Sequence, residues 1–210
     1  MNIGIIGSGN MGGGLGRIWA KKGHAVIFSY SRSQEKLAAL AASVPNAKTG
    51  TPAEAAAQAD VVLLAVPWSG VPDALKQAGD LKGKVVIDCT NPLKPDLSGL
   101  ALGHTTSAAE EIAKMAPGAR IGKAFNTAFA QVYQEGNRLF GSRMATMLYC
   151  GDDADAKATA ARLIQDVGFE PIDCGPLTSA RYLEPLAMLM ITLGYGQGMG
   201  TNIAMNLIRR

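Results

Sequence analysis

Residues Gly4 to Gly16 read G-I-I-G-S-G-N-M-G-G-G-L-G, seven glycines in thirteen positions. Within them Gly7, Ser8, Gly9, Asn10, Met11 and Gly12 fit the spacing G-x-G-x-x-G. In that pattern the first glycine makes a tight turn, the second admits a pyrophosphate against the backbone, and the third lets helix and strand pack closely. Amides exposed at a helix N-terminus then face the phosphate charge. The chemistry these residues suit is the binding of a dinucleotide. A second group stands where the next apolar run ends, Ser29-Tyr30-Ser31-Arg32-Ser33, with Lys36 about one helical turn further on. Chains that bind NAD place a carboxylate there for the ribose hydroxyls. This one has none at that point, and the planar fork of Arg32 suits a phosphate. Ser31, Arg32, Ser33 and Lys36 therefore predict a 2′-phosphate site, and NADP(H) as cofactor.

The ends of the later apolar runs carry Val66-Pro67-Trp68-Ser69, Cys89-Thr90-Asn91-Pro92 and Phe125-Asn126-Thr127. Prolines and the amides of Asn91 and Asn126 can position a nicotinamide, but none of these groups is a strong acid or base. Of the two histidines, His24 lies in a turn and reads as structural, and His104 reads as a surface or capping residue. Lys123 precedes Asn126 by three residues, and in a strand odd spacing sends the two side chains to opposite faces, which argues against a proton-donor dyad. No catalytic residue and no metal ligand set is assigned. Dehydrogenation of an alcohol or imine needs a proton moved at the reacting heteroatom. Hydride exchange between two redox coenzymes asks the protein mainly to stack and align two rings.

The elements that must hold these groups are legible as alternating runs. Met1–Ile6, Ala25–Phe28, Val61–Val66, Val85–Asp88 and Ile121–Phe125 are apolar runs, and helix-like stretches lie between them. Met11–Lys22 has helical apolar spacing, Ser33–Leu40 reads as a second helix, and Thr51-Pro52-Ala53-Glu54 opens a third with a capping box. Near-continuous apolar strands alternating with helices indicate an α/β, Rossmann-type doubly wound parallel sheet. Residues 1–142 are expected to form this unit. Residues 143–210 are expected to form a small C-terminal α/β extension, with a helix opened by Asp152 and tail helices from about Ser179 to Arg210. With 48% hydrophobic residues among 210, the chain can bury a substantial core. A net charge of +3, scattered among acids, argues against nucleic acid or membrane partners. Cys89, Cys150 and Cys174 show no C-x-x-C spacing and are expected to be reduced thiols. That expectation, and a strand beginning at once without a signal-peptide pattern, point to the cytoplasm.

The segments G-S-G-N-M-G, S-R-S-Q-E-K, A-V-P-W, K-A-F-N-T, C-G-D-D and D-C-G-P-L-T-S-A-R-Y-L-E-P-L together resemble, nearly end to end, the NADPH-dependent oxidoreductases of the deazaflavin coenzyme F420. The same fold occurs in the cytoplasmic domain of the STEAP metalloreductases, which passes electrons from NADPH to flavin. The resemblance implies Ser8, Gly9, Asn10 and Met11 on the pyrophosphate, Ser31, Arg32 and Lys36 on the 2′-phosphate, and Val66, Pro67 and Trp68 beside the nicotinamide half. It also implies a second redox coenzyme, F420 or a flavin, as hydride acceptor, and a homodimer with tail helices near the partner's acceptor site. Where the archaeal deazaflavin enzymes carry His-Thr, this chain has Asn126-Thr127, so deazaflavin, FMN and FAD all stand open as acceptors. Two other functions fit the residues: an NADP(H)-binding redox sensor without turnover, and a small-substrate dehydrogenase of the hydroxyacid or pyrroline-carboxylate type. The latter usually needs a longer all-helical second domain, and only about thirty residues follow Ser179.

Overall fold

The computed structural model describes residues 1–134, 139–140 and 142–210. Its strands are β1 (Asn2–Ile6), β2 (Ala25–Ser29), β3 (Ala47–Thr49), β4 (Val61–Leu64), β5 (Val85–Asp88), β6 (Arg120–Lys123), the short pair β7 (Leu139–Phe140) and β8 (Arg143–Met144), β9 (Thr146–Gly151) and β10 (Glu170–Asp173). Its helices are α1 (Asn10–Lys21), α2 (Gln34–Ala42), α3 (Pro52–Gln58), α4 (Val71–Ala78), α5 (Ala108–Met115), α6 (Ala154–Val167) and α7 (Ala180–Ile191).

Eight strands form one sheet in the order β10-β9-β6-β5-β4-β1-β2-β3. From β3 to β6 the pairing is parallel throughout, and the order reverses between β1 and β4. This is the dinucleotide-binding order, with its ligand crevice outside the carboxyl ends of β1 and β4. Alternation within the strands explains the layers. Ile3, Ile5, Val61, Leu63, Val85 and Ile87 pack against α1, α2 and α6, whereas Ile6, Val62, Leu64 and Val86 pack against α3, α4, α5 and α7. The expected capping box is present, with Thr51 and Glu54 each bonding the other's backbone amide.

The segment from β9 onward extends the same sheet. β9 runs antiparallel to β6 through Gly122 and Gly151, and β10 lies parallel beside β9. Trp19 ties this segment to α1 by donating its indole N–H to the Leu163 carbonyl of α6 at 3.1 Å. Two expectations need correction. Asp153, not Asp152, caps α6; Asp152 accepts the Leu177 amide instead. The tail carries one helix, α7, followed by a π-turn at Thr192–Gly196, and then runs without helix to Arg210. Gly198 and Gly200, at φ +69° and +78°, take left-handed backbone that ends helical continuation. The tail then lies along the start of β9, where the Thr146 amide donates to the Met205 carbonyl.

Candidate functional site

The β1–α1 turn begins at Gly7, which holds φ +105°. Its amide donates to the Ser29 carbonyl at 3.1 Å, and the Ser8 hydroxyl donates to the same oxygen at 2.8 Å. The turn is thus hung on the end of β2, beside the expected 2′-phosphate group. A Cβ on Gly12 would run into the Gly7 carbonyl oxygen, whereas a Cβ on Gly9 would meet no protein atom within 4 Å. The first bond of α1 runs from the Gly13 amide to the Gly9 carbonyl at 2.8 Å, and Gly9 brings no side-chain cap. The amides of Asn10, Met11 and Gly12 therefore have no intrahelical partner at the positive end of a helix, next to the clear space at Gly9. The residues present fit a pyrophosphate. Gly9 sits at φ −77°, which alanine also adopts. Gly9→Ala is accordingly expected to keep or raise stability, by up to about 1 kcal/mol, while weakening dinucleotide binding at least tenfold. Gly12→Ala is expected to cost about 1–3 kcal/mol through overpacking. Urea unfolding and NADPH titration of both variants check the contrast.

At the end of β2, Tyr30 takes φ +54° and turns the chain outward. Its phenol donates to Asp73 at 2.7 Å, and this bond raises its pKa above the ordinary tyrosine value. The Ser31 hydroxyl donates to the Ser33 carbonyl, and the Ser33 hydroxyl caps α2 by accepting the Lys36 amide. The side chains of Arg32 and Lys36 are exposed and have no hydrogen-bond or ion-pair partner among the described residues. The two serines shape the turn and leave two unpaired cations beside a helix N-terminus.

A cavity of about 230 Å³ opens beyond the start of α1. Met11, Cys89, Asn91, Asn126, Thr127, Phe129, Met190 and Tyr195 stand in its wall, with Leu93 and Leu97 from the loop after β5. Among the described residues the wall contains no aspartate, glutamate, lysine, arginine or histidine. Burial pushes the Cys89 thiol up to about 12. Val66, Pro67 and Trp68 do not line this cavity; Val66 is buried beside Gly7, Trp68 is half-buried and Pro67 is exposed. Among the described residues no group of three or more histidine, cysteine, aspartate or glutamate side chains could hold a metal ion.

Two triads from the same three segments support the cavity floor. In the first, Asn126 Nδ2 donates to Asn91 Oδ1 and to the Leu183 carbonyl, both at 3.0 Å, and Asn91 Nδ2 donates back to the Asn126 carbonyl at 2.9 Å. Beneath it lies a buried ionic cluster. Lys123, 0% exposed, reaches Asp88 at 2.7 Å, Glu184 at 2.8 Å and the Thr90 carbonyl at 2.6 Å. Glu184 also accepts the Ala108 and Ala109 amides at the start of α5. Burial pulls the Lys123 pKa down, but the two carboxylates outweigh it and hold the ammonium charged. Burial pushes the Glu184 carboxyl up, against the pull of Lys123 and the Ala108 amide. Phe125, at φ +65°, turns the chain between Lys123 and Asn126, and its ring is held edge-on by Trp19 at 5.6 Å. Lys123 does not line the cavity, so it forms no dyad with Asn126 there. The ionic cluster is the feature that sequence reasoning missed. Its signal was a charged residue closing each of two apolar runs, V-V-I-D and R-I-G-K.

A family described as NADP oxidoreductase, coenzyme F420-dependent, matches residues 2–92. The F420-dependent NADP reductase of Methanothermobacter marburgensis is 33% identical over 210 residues, covering 92% of this chain and 92% of that protein. The rat metalloreductase STEAP3 is 32% identical over 189 residues, covering 90% of this chain but only 37% of that protein. A solved structure from Arthrobacter sp. FB24, provisionally named an F420-dependent NADP reductase, is 28% identical with a TM-score of 0.88 and covers 99% of both chains.

Proposed function

Since the chain belongs to the coenzyme F420-dependent NADP oxidoreductase family, and so is an NADP-dependent oxidoreductase, we propose that it passes hydride between NADP(H) and a flat tricyclic coenzyme, a deazaflavin of the F420 type or a flavin. The observation that carries this reading is a cavity wall that, among the described residues, has no ionisable acid or base beyond Cys89 and Tyr195. NADPH, when bound, supplies two electrons and one proton as hydride from its nicotinamide ring. The chain's own work is to bind and to align. The amides of Asn10 and Met11, in front of Gly9, hold the pyrophosphate, with Gly7, Ser8 and Gly12 shaping the turn. Arg32 and Lys36 hold the 2′-phosphate, with Ser31 and Ser33 shaping that loop. Val66, Pro67 and Trp68 flank the ribose and nicotinamide on the Gly7 side, and Asn91 and Asn126 face the ring edges. Leu93, Phe129 and Met190 keep water from the hydride path.

The outer face of α7 and the turn after it expose Tyr182 (76%), Leu189 (52%), Tyr195 (61%) and Met199 (61%). An apolar face of this kind supports a homodimer interface, with the partner's tail near the cavity mouth. Among the described residues no helix is long and apolar enough to cross a membrane, and the unpaired cysteines support a reducing compartment such as the cytoplasm.

Anaerobic NADPH oxidation with F420, FMN and FAD offered separately tests the reading. Turnover with one of them is expected; tight NADPH binding with none turned over would leave the redox sensor. Tyr195, an exposed residue of the wall, favours a second reading, reduction of a small C=O or C=N bond with Tyr195 as proton donor. That role predicts a loss of about 10²–10⁴ in kcat on Tyr195→Phe. Ring packing, the role expected here, predicts that the change falls on KM. Steady-state kinetics of the variant decide between them.

A further inference from the structure

The carboxamide of Asn126 is 4% exposed and stands in the cavity wall. Its orientation is not a free choice. Nδ2 donates to the Leu183 carbonyl, which can only accept, and to Asn91 Oδ1. Asn91 cannot be turned round either, because its own Nδ2 donates to the Asn126 carbonyl. With both amides fixed by backbone oxygens, Asn126 Oδ1 is left without a hydrogen-bond partner among the described residues. The other such buried atom, the Thr90 hydroxyl oxygen, belongs to a residue outside the cavity wall and can rotate.

A buried acceptor without a donor carries an uncompensated desolvation penalty, and native folds keep few of them. Here the surroundings hold the atom in place. Asp88 and Thr90 precede Asn91, Lys123 precedes Asn126, and Glu184 follows Leu183, so each member of the amide triad is anchored by the ionic cluster beneath. The left-handed turn at Phe125 aims the carboxamide. Leu93, Phe129 and Met190 make the surrounding wall apolar, which disfavours a charged partner.

We propose that Asn126 is a specificity-determining residue whose Oδ1 accepts a hydrogen bond from a neutral amide-type N–H on the edge of a ring bound in the cavity. The proposal rests on the reading of this cavity as the meeting place of two rings. Two ligands can supply that donor: the carboxamide of nicotinamide, and the imide N3–H common to flavins and deazaflavins. A substrate presenting only acceptors, such as a ketone or a carboxylate edge, leaves Oδ1 unpaired and is disfavoured.

Calorimetric dissociation constants for two ligand pairs, on the native protein and on Asn126→Ala, test it. The first pair is NADP⁺ and its 3-acetylpyridine analogue, which lacks the amide hydrogens. The second, with NADP⁺ bound, is the accepted flavin or deazaflavin and its N3-methyl derivative. The native protein is expected to discriminate one pair by about tenfold, the ratio for one buried hydrogen bond; Asn126→Ala is expected to bind both members of that pair within about twofold. Discrimination of the first pair identifies nicotinamide as the donor, and of the second the acceptor ring. No discrimination of either pair by the native protein, or equal discrimination by the variant, overturns the proposal. If Asn126→Ala does not fold, Asn126→Val, which fills more of the vacated volume and offers no acceptor, runs the same cycle. Absence of NADPH oxidation with every acceptor would overturn hydride exchange yet leave the first pair measurable, so the two failures separate.

Discussion

Arg32→Glu is expected to raise the Kd for NADPH by about 10²–10³ while leaving that for NADH within about threefold. The guanidinium lies exposed after the left-handed turn at Tyr30, with no partner among the described residues. In a bidentate contact with phosphate it would contribute charge-assisted hydrogen bonds of about 1.5–3 kcal/mol each, reduced by solvent at an exposed position. The substitution removes that attraction and sets a carboxylate against a dianion. NADH has a hydroxyl in place of the phosphate, so little is lost there. Stability should stay within about 0.5 kcal/mol, because no contact within the fold is broken. Fluorescence titration with both nucleotides at two salt concentrations measures the effect, and the NADPH preference of the native protein should fall as salt rises. Equal weakening for NADPH and NADH would remove Arg32 from the 2′-phosphate site.

The parts of this molecule that could be read from sequence are those whose cause is local. The Gly7–Gly12 turn and the Thr51–Glu54 capping box each depend on a few consecutive residues, and each is present. The parallel sheet was legible because strands buried on both faces must be apolar at every position. The ionic cluster was not, since Asp88, Lys123 and Glu184 come from two strands and a distant helix, and neither period nor spacing joins them. Sequence also suggested a longer helical tail because methionine and leucine recur through Met205. The backbone at Gly198 and Gly200 overrides that apolar pattern. Asn91 and Asn126 could be placed at strand ends, but the unpaired Oδ1 follows only from which amide each carbonyl holds.

Glu184→Ala is expected to cost about 3–5 kcal/mol, the scale for breaking a buried ion pair from one side. In the native protein the Lys123 ammonium is fully buried against three acceptors. Without Glu184 one N–H loses its partner, as do the Ala108 and Ala109 amides that open α5. A chain of this length should then melt roughly 10 °C lower, at about 2–4 °C per kcal/mol. The exposed Lys114–Glu111 pair provides the contrast, since Glu111→Ala should change stability by about 0.5 kcal/mol or less. Glu184→Ala leaves Lys123 paired with Asp88, whereas Lys123→Met strands both buried carboxylates. In the double variant only Asp88 is left unpaired, so it should lose less than the sum of the two single losses, by about 0.5–3 kcal/mol. Urea unfolding of the four proteins measures the coupling. A loss below about 1 kcal/mol for Glu184→Ala would show that the cluster does not brace the fold. A large loss joins stability to the site, because the carbonyl that orients Asn126 belongs to Leu183, the residue immediately before the one that anchors α7 to Lys123.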